Sequence, residues 1–359
     1  MASAKRKGHL GTVTGRGRAL GVTTLGGFLD LGSLIRCAMY GAAAWRPRPK
    51  FAALTMGPAR PYVCVCPMEK LTESLIEIVR RTSAEIPDDV QRAILAALEN
   101  EKEGTIAKSA MKIIEQNIGL AKKKSQPICQ DTGSTLFYVD CPVGFDQLAF
   151  SDKAREAVTA ATKRGYLRQN SVDSLTGKND GTNVGPGAPT FHFHQHREDP
   201  VKVRLMLKGG GCENVGAQYS LPNPKLKANR DLDGCRKVIL DAVQQAQGKG
   251  CGPGILGVCI GGDRATSYEF SKAQFLRKLD DRNDNPELDA LEQDILTTAN
   301  KLGIGPMGFG GQTTLLGAKI TAANRLPASY FVSISYMCWA FRRQGAELAP
   351  DGDIKEWLY

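Results

Sequence analysis

The sequence predicts a mixed α/β fold, with a helical N-terminal region followed by mixed β-sheets flanked by helices. Two observations carry this. Between residues 69 and 124 apolar residues recur at helical spacing. From residue 134 onward, short β-branched and aromatic runs interleave with helical stretches, separated by glycine-rich turns.

The helical region opens at Met68 with "MEKLTESLIEIVRR", amphipathic from its first turn. "IPDDVQRAILAALENEK" comes next, where Pro87 and two acids favour a helix start. "GTIAKSAMKIIEQNIGLAKKK" ends on three lysines, which suit a helix C-terminus. "STLFYVDCP" predicts a strand, and residues 146–164 a helix. Residues 165–189, rich in Gly, Asn, Asp and Pro, predict a loop. "TFHFHQH" and "PVKVRLML" alternate as strands. Helices are predicted near 230–247, 266–279 and 286–302, and strands at 254–260, 313–320 and 328–337.

The chain has 359 residues, 42% of them apolar and 23% charged, which matches a globular protein with ample core. No run of about 18 apolar residues occurs, so no membrane-spanning helix is expected. The net charge is +10. Residues 1–67 hold ten Lys and Arg against one acid, Asp30, so nearly all the excess lies there. The rest is close to neutral, which removes the argument for a nucleic-acid-binding surface. Residues 1–67 lack helix or strand periodicity and are expected to be a disordered or non-native N-terminal extension. A start-site artefact, with Met68 the true start, is favoured over an organelle presequence because Ser is sparse and no amphipathic Arg helix can be drawn. Residues 68–359 are expected to form the folded domain.

Cys37, Cys64 and Cys66 fall in the first segment. The other seven (Cys129, Cys141, Cys212, Cys235, Cys251, Cys259, Cys338) are scattered, and no C-x-x-C pair occurs. A disulfide framework or zinc ribbon is therefore disfavoured, and a cytoplasmic enzyme expected. A metal site would have to gather distant cysteines.

Four glycine-rich turns stand out: "NDGTNVGPG", "LKGGGCEN", "GKGCGPGILGVCIGGDRA" and "GIGPMGFGGQTT". Such turns let backbone N–H groups approach an anion closely. The last contains Gly303-x-Gly305-x-x-Gly308, but a predicted helix precedes it and Pro306 would break the helix that should come after it, so a dinucleotide site is rejected. His192, His194 and His196 share one face of a predicted strand. A polar face is preferred there to a metal site, because no acidic ligand lies in the run.

Context separates the cysteines. Cys129 sits in "PICQDTG", beside an amide, a carboxylate and a hydroxyl. Cys251 lies in an uncrowded glycine turn, and Cys338 ends an apolar strand before two arginines. Cys212, in "GGGCEN", is a rival. Cys259 reads as core, and Cys141 and Cys235 carry no signal.

"PICQDTG", "NDGTN", "KGGG", "CGPGILGVCIGG" and "RLPASYFVSISYMCWAFRR" together resemble the iron–sulfur-dependent class I fumarase family. More closely, they resemble the alpha subunit of its two-subunit fumarases and L(+)-tartrate dehydratases, across about residues 69–345. The resemblance implies a [4Fe–4S] cluster held by Cys129, Cys251 and Cys338, with the sheets and helices packed around that cluster site. It implies that Gln130 binds substrate, that Asp131 orients or assists the base, that Arg168 grips a substrate carboxylate, and that Gly181 offers a backbone N–H. It implies reversible hydration of fumarate to L-malate, with L(+)-tartrate dehydration as the alternative. A non-catalytic iron–sulfur module is the reading of another class, and the polar Gln130-Asp131-Thr132 run argues against it. Two departures stand out: Gly252 follows Cys251 where the family often has Pro, and Asn324 stands where a His is usual. The chain ends soon after the last motif, so a beta subunit carrying the C-terminal swivelling domain, and with it the catalytic base, is the expected partner.

Overall fold

The computed structural model describes residues 68–359, and the readings made for residues 1–67 lie outside them. Three helices open the described region: α1 (Met68–Ala84), α2 (Asp88–Asn100) and α3 (Ile106–Lys124). Thr105 caps α3 by accepting from the Lys108 N–H at 3.2 Å, an interaction worth about 1 kcal/mol. Lys122–Lys124 fill its last turn, where cations favour the helix dipole. Ser125, in the left-handed region, ends the helix.

Two sheets make up the rest of the framework. The first has the order β2-β1-β3-β8-β9, built from β1 (Ser134–Pro142), β2 (Thr190–His196), β3 (Val201–Lys208), β8 (Arg342–Leu348) and β9 (Ile354–Trp357). Its β1–β2 pair is parallel and the remaining pairs are antiparallel. The second has the order β4-β7-β5-β6, from β4 (Ala217–Ser220), β5 (Gly254–Gly261), β6 (Leu315–Ala323) and β7 (Phe331–Met337). Here β5 and β6 run parallel. The remaining helices are α4 (Gln147–Lys163), α5 (Gly210–Asn214), α6 (Leu232–Ala246), α7 (Arg264–Ala273) and α8 (Pro286–Asn300).

Burial explains the strand sequences. Phe137 and Val139 of β1 pack with α1 and α4, while Leu136 and Tyr138 face a cluster with α2 and α3. Both faces are covered, so β1 reads as a continuous apolar run rather than an alternation. All eight residues of β5 are buried between helices in the same way. A second core packs α6 and α8 on the β4–β7 sheet through Val238, Ile239, Val258, Ile295 and Ile334. The third core joins α2 and α3 to both sheets through Tyr138, Met206, Ile255 and Met337. Among the described residues no helix is long and apolar enough to cross a membrane.

The predicted helices and strands are present with small shifts at their ends. The strand β8, with β4, β9 and the short α5, is additional. Gly303–Gly308 ends in one short 3₁₀ turn, Pro306–Gly308, with no helix after it, in keeping with the rejection of a dinucleotide loop. On β2 the two phenylalanines face the core and the three histidines the other side. His192 stacks on Tyr138 at 4.5 Å and pairs with Glu269 at 2.9 Å, His194 lies 3.6 Å from Asp140, and His196 accepts from the Glu198 N–H. Each histidine has its own neighbour, so they form a polar face.

Candidate cysteine-lined active site

The "PICQDTG" segment lies between α3 and β1 and is tied down from several sides. The Ile128 N–H donates to the Ser83 carbonyl, and Asn117 Nδ2 donates to the Ile128 carbonyl at 2.9 Å. The Thr132 hydroxyl donates to the Arg168 carbonyl and accepts from the Arg168 N–H. Gly133 has φ +78°, and a Cβ there would stand 2.5 Å from the Lys208 carbonyl carbon and oxygen. Glycine is therefore required for the turn to reach the end of β3.

Cys251 occupies the turn before β5, with φ +54°, a conformation uncommon for a residue with a side chain. Tyr336 packs against this turn so closely that a Cβ at Gly250 or Gly254 would lie 2.4 or 2.2 Å from its ring. The Trp339 N–H donates to the Cys251 carbonyl at 3.3 Å, joining that turn to the residue after Cys338. Cys338 follows β7 and is buried, Cys129 is half-buried and Cys251 is exposed.

These segments converge. Burial raises the Cys251 thiol pKa, and Cys212, Cys129 and Asp131 add to the rise. The Cys338 thiol shares a hydrogen bond with Cys212, which with burial pushes Cys338 up, and Cys129 also acts on it. The same bond, opposed by burial and aided by Lys208 and Arg342, brings Cys212 down to about 7. Cys129 thus lies within electrostatic reach of both Cys251 and Cys338, although the three come from distant parts of the chain. The rival Cys212 stands there too, on α5. Cys141, Cys235 and Cys259 are buried elsewhere.

Gln130 and Asp131 adjoin the centre. The Cys129 thiol lies 3.7 Å from Gln130 Oε1. Asp131 Oδ2 accepts from the Gly210 N–H at 2.7 Å, and Oδ1 accepts from Asn170 Nδ2 at 3.3 Å. Asp131 also lines a cavity of about 220 Å³ with Asn170, Ser171, Asn183, Thr190 and Gly210. Arg168 is exposed at the edge of this region and has no acidic partner within ion-pair distance among the described residues. The buried Asn183 holds its backbone: Nδ2 donates to the Arg168 carbonyl, and Oδ1 accepts from the Asn170 and Ser171 N–H groups.

Gly181 already has a partner for its N–H. Its N–H donates to Asn179 Oδ1 at 2.7 Å, so it is engaged within its own loop. The glycine run at 209–211 stands beside Asp131 instead. Asn324 lies just past the carboxyl end of β6, while Cys251 precedes the amino end of the parallel β5. They sit at opposite ends of that strand pair.

Residue-type reasoning missed the roles of Thr132, Asn183, Lys208, Gly210 and Arg342. Thr132, Asn183 and Gly210 lie inside the "PICQDTG", "NDGTN" and "KGGG" motifs, but nothing in their spacing says which backbone each one holds.

Among the described residues no three His, Cys, Asp or Glu side chains are arranged around a single ion position. A multi-iron cluster asks for something else, one thiolate on each of three irons. The donor set fits that demand: sulfur ligands without nearby imidazoles. Charge fits as well. Arg342 and Lys208 are both fully buried beside the thiols, with Arg342 Nε and Lys208 Nζ lacking aligned hydrogen-bond partners. Lys208 has Glu213 as its counter-ion, whereas Arg342 has no carboxylate within ion-pair distance among the described residues, and a buried cation of that kind favours an anionic group beside it.

The family model for fumarate hydratase (Fumerase) matches residues 72–347. A Geobacillus stearothermophilus protein named "Putative fumarate hydratase class I" is 52% identical over 296 residues, covering 81% of this chain and 58% of that protein. The chain thus spans a little over half the length of that relative. A Methanocaldococcus jannaschii protein named "Putative L(+)-tartrate dehydratase subunit alpha" is 32% identical, covering 79% of this chain and 100% of its own length. The L(+)-tartrate dehydratase subunit alpha of Escherichia coli K12 is 29% identical, covering 77% of this chain and 90% of its own. By the extent of these matches, the chain belongs to the class I fumarate hydratase (Fumerase) family, which takes in the alpha subunits of L(+)-tartrate dehydratases.

Proposed function

We propose that the chain is the alpha subunit of a hydro-lyase that interconverts fumarate and L-malate, with a [4Fe–4S] cluster held by Cys129, Cys251 and Cys338. What supports this reading is that Cys129, next to Gln130 and Asp131, lies within electrostatic reach of both Cys251 and Cys338. When bound, the cluster supplies a Lewis-acidic iron without a protein ligand, able to stabilise the hydroxyl oxygen that leaves or enters.

The chain's own residues supply the surroundings. Gln130 can hydrogen-bond a substrate oxygen next to Cys129. Arg168 presents a guanidinium free to grip a carboxylate through two parallel hydrogen bonds. Asp131, held at both oxygens by Gly210 and Asn170, can orient a donor or accept a proton without moving. Positioned acid–base groups contribute about 10²- to 10⁴-fold in rate. The base that removes the proton beside the substrate carboxylate is assigned to the beta subunit carrying the swivelling domain. The relatives named as alpha subunits support such a partner, as does the additional length of the Geobacillus protein.

L(+)-tartrate dehydration is the second reading. It is favoured by the near-complete coverage of two proteins named as subunit alpha of that enzyme. The chain should be co-produced anaerobically with its partner and assayed for hydration of fumarate and dehydration of L(+)-tartrate. Activity on fumarate supports the first reading and activity on tartrate alone the second. A complex with a full cluster that acts on neither overturns both.

A further inference from the structure

Two arginines stand side by side at the start of β8, both fully buried, and their surroundings differ. Arg343 Nη2 donates to Asp89 at 2.6 Å, and the guanidinium lies over the rings of Phe341 and Tyr359. It is a core ion pair. Arg342 has no carboxylate within 4.0 Å among the described residues. Its Nη1 donates to the backbone carbonyl of Asp131 at 2.5 Å; an unpartnered Nε is common to both arginines, so the missing carboxylate is what sets Arg342 apart. Nη2 is 3.6 Å from the point where a Cβ of Gly209 would stand, a point itself 3.0 Å from Asp131 Oδ2. The hydrogen bond to Asp131 sets Arg342 two residues from Cys129, and it follows Cys338 by four residues. Lys208, the other buried cation, has Glu213 at 3.2 Å.

A buried guanidinium without a counter-ion is costly. Neutral thiols and one carbonyl do not offset that cost, whereas thiolates bound to an iron–sulfur cluster do. We propose that Arg342 is a positioning residue: it is the fixed counter-charge of the cluster, and through the Asp131 carbonyl it locks the Gln130–Asp131 backbone against that cluster. This rests on the cluster reading given above. Two consequences separate it from simple packing. Removing the charge loosens the cluster. It also makes the cluster harder to reduce, because an added electron is stabilised by a nearby cation.

The test uses the full chain, reconstituted anaerobically. Iron and sulfide per chain, the rate of cluster loss to EDTA, and the midpoint potential from an EPR-monitored titration are measured. Arg342→Met and Arg342→Gln are compared with Arg342→Lys. Gln keeps an N–H donor for the Asp131 carbonyl, so it isolates the charge if Met fails to fold. The neutral variants are expected to lose the cluster about tenfold faster than wild type and to shift the potential to more negative values. Lys, which keeps the charge, is expected to restore both. If wild type holds a cluster and the neutral variants match it in loss rate and potential, the proposal is overturned and the cluster reading stands. Equal damage in Gln and Lys makes Arg342 a packing residue and also overturns it. If wild type itself takes up no cluster, the cluster reading fails, and the proposal with it.

Discussion

The backbone N–H of Gly210 donates to the Asp131 carboxylate at 2.7 Å, so the residue two places after Cys129 is anchored to the first residue of α5. Both ends of this contact are tight: a Cβ on the neighbouring Gly209 would stand 3.0 Å from Asp131 Oδ2. Asp131→Asn keeps the shape and loses the charge. It is expected to lower kcat by about 10²-fold or more with iron content unchanged. Gly209→Ala should push the carboxylate aside and cost about tenfold in kcat, through misplacement alone. Steady-state kinetics with cluster content measured on the same samples checks both. An Asp131→Asn enzyme with full activity removes Asp131 from the chemistry.

The cysteines give a second expectation. Cys129→Ser, Cys251→Ser and Cys338→Ser should each abolish cluster uptake, read as iron and visible absorbance after anaerobic reconstitution. Cys212→Ser should keep the cluster, though its thiol touches that of Cys338. A chain that needs Cys212 and tolerates loss of Cys338 would move the third ligand to α5.

Much of this site is readable in residue order. The run Cys129-Gln130-Asp131 and the glycine turn around Cys251 announce polar chemistry by local composition, and in the fold Cys129 and Asp131 lie within electrostatic reach of Cys251. A glycine turn does not reveal where its N–H already points, and that of Gly181 points to Asn179. The strand β8 escapes sequence reading because "RRQGAEL" has none of the apolar alternation that marks a strand. Its polar residues are buried by partners far away in sequence, Asp89 for Arg343 and Asp131 for Arg342. Such pairing is tertiary information. It also conceals Arg342, which from sequence alone is an ordinary basic residue after an apolar strand.

Glu213 should carry more stability than its place on a five-residue helix suggests. It lies 3.2 Å from the buried Lys208 and 2.7 Å from Lys272. Burial raises its pKa, and Lys208 and Lys272 more than offset that, so the net shift is downward from 4.5. A carboxylate with a depressed folded pKa stabilises fully above its unfolded pKa, and that contribution is lost as the pH falls through the folded value. Glu213→Gln leaves Lys208 without a counter-charge and is expected to cost about 3 kcal/mol at pH 7. The gap between wild type and variant should close as the pH drops below the ordinary glutamate range. Urea unfolding of the cluster-free chain between pH 7 and pH 3 measures it. A gap that stays constant with pH would mean the ion pair contributes nothing.

The turn that carries Cys251 is held in shape by Tyr336. That ring occupies the space where side chains at residues 250 and 254 would begin, with a Cβ on Gly254 only 2.2 Å from the phenol carbon and oxygen. Tyr336 is buried and rigidly packed, so it cannot swing away as an exposed side chain would. Gly254→Ala is therefore expected to cost about 1–3 kcal/mol by overpacking, seen as a lower urea midpoint with unchanged slope. Because the strain falls on the Cys251 turn, the folded variant should also take up less iron at a given iron and sulfide concentration. Shortening the ring removes the clash at its source. Gly254→Ala combined with Tyr336→Leu should be more stable than the sum of the two single changes predicts, since each relieves the other. Simple additivity in that double-mutant cycle would show that the ring and the turn do not press on each other.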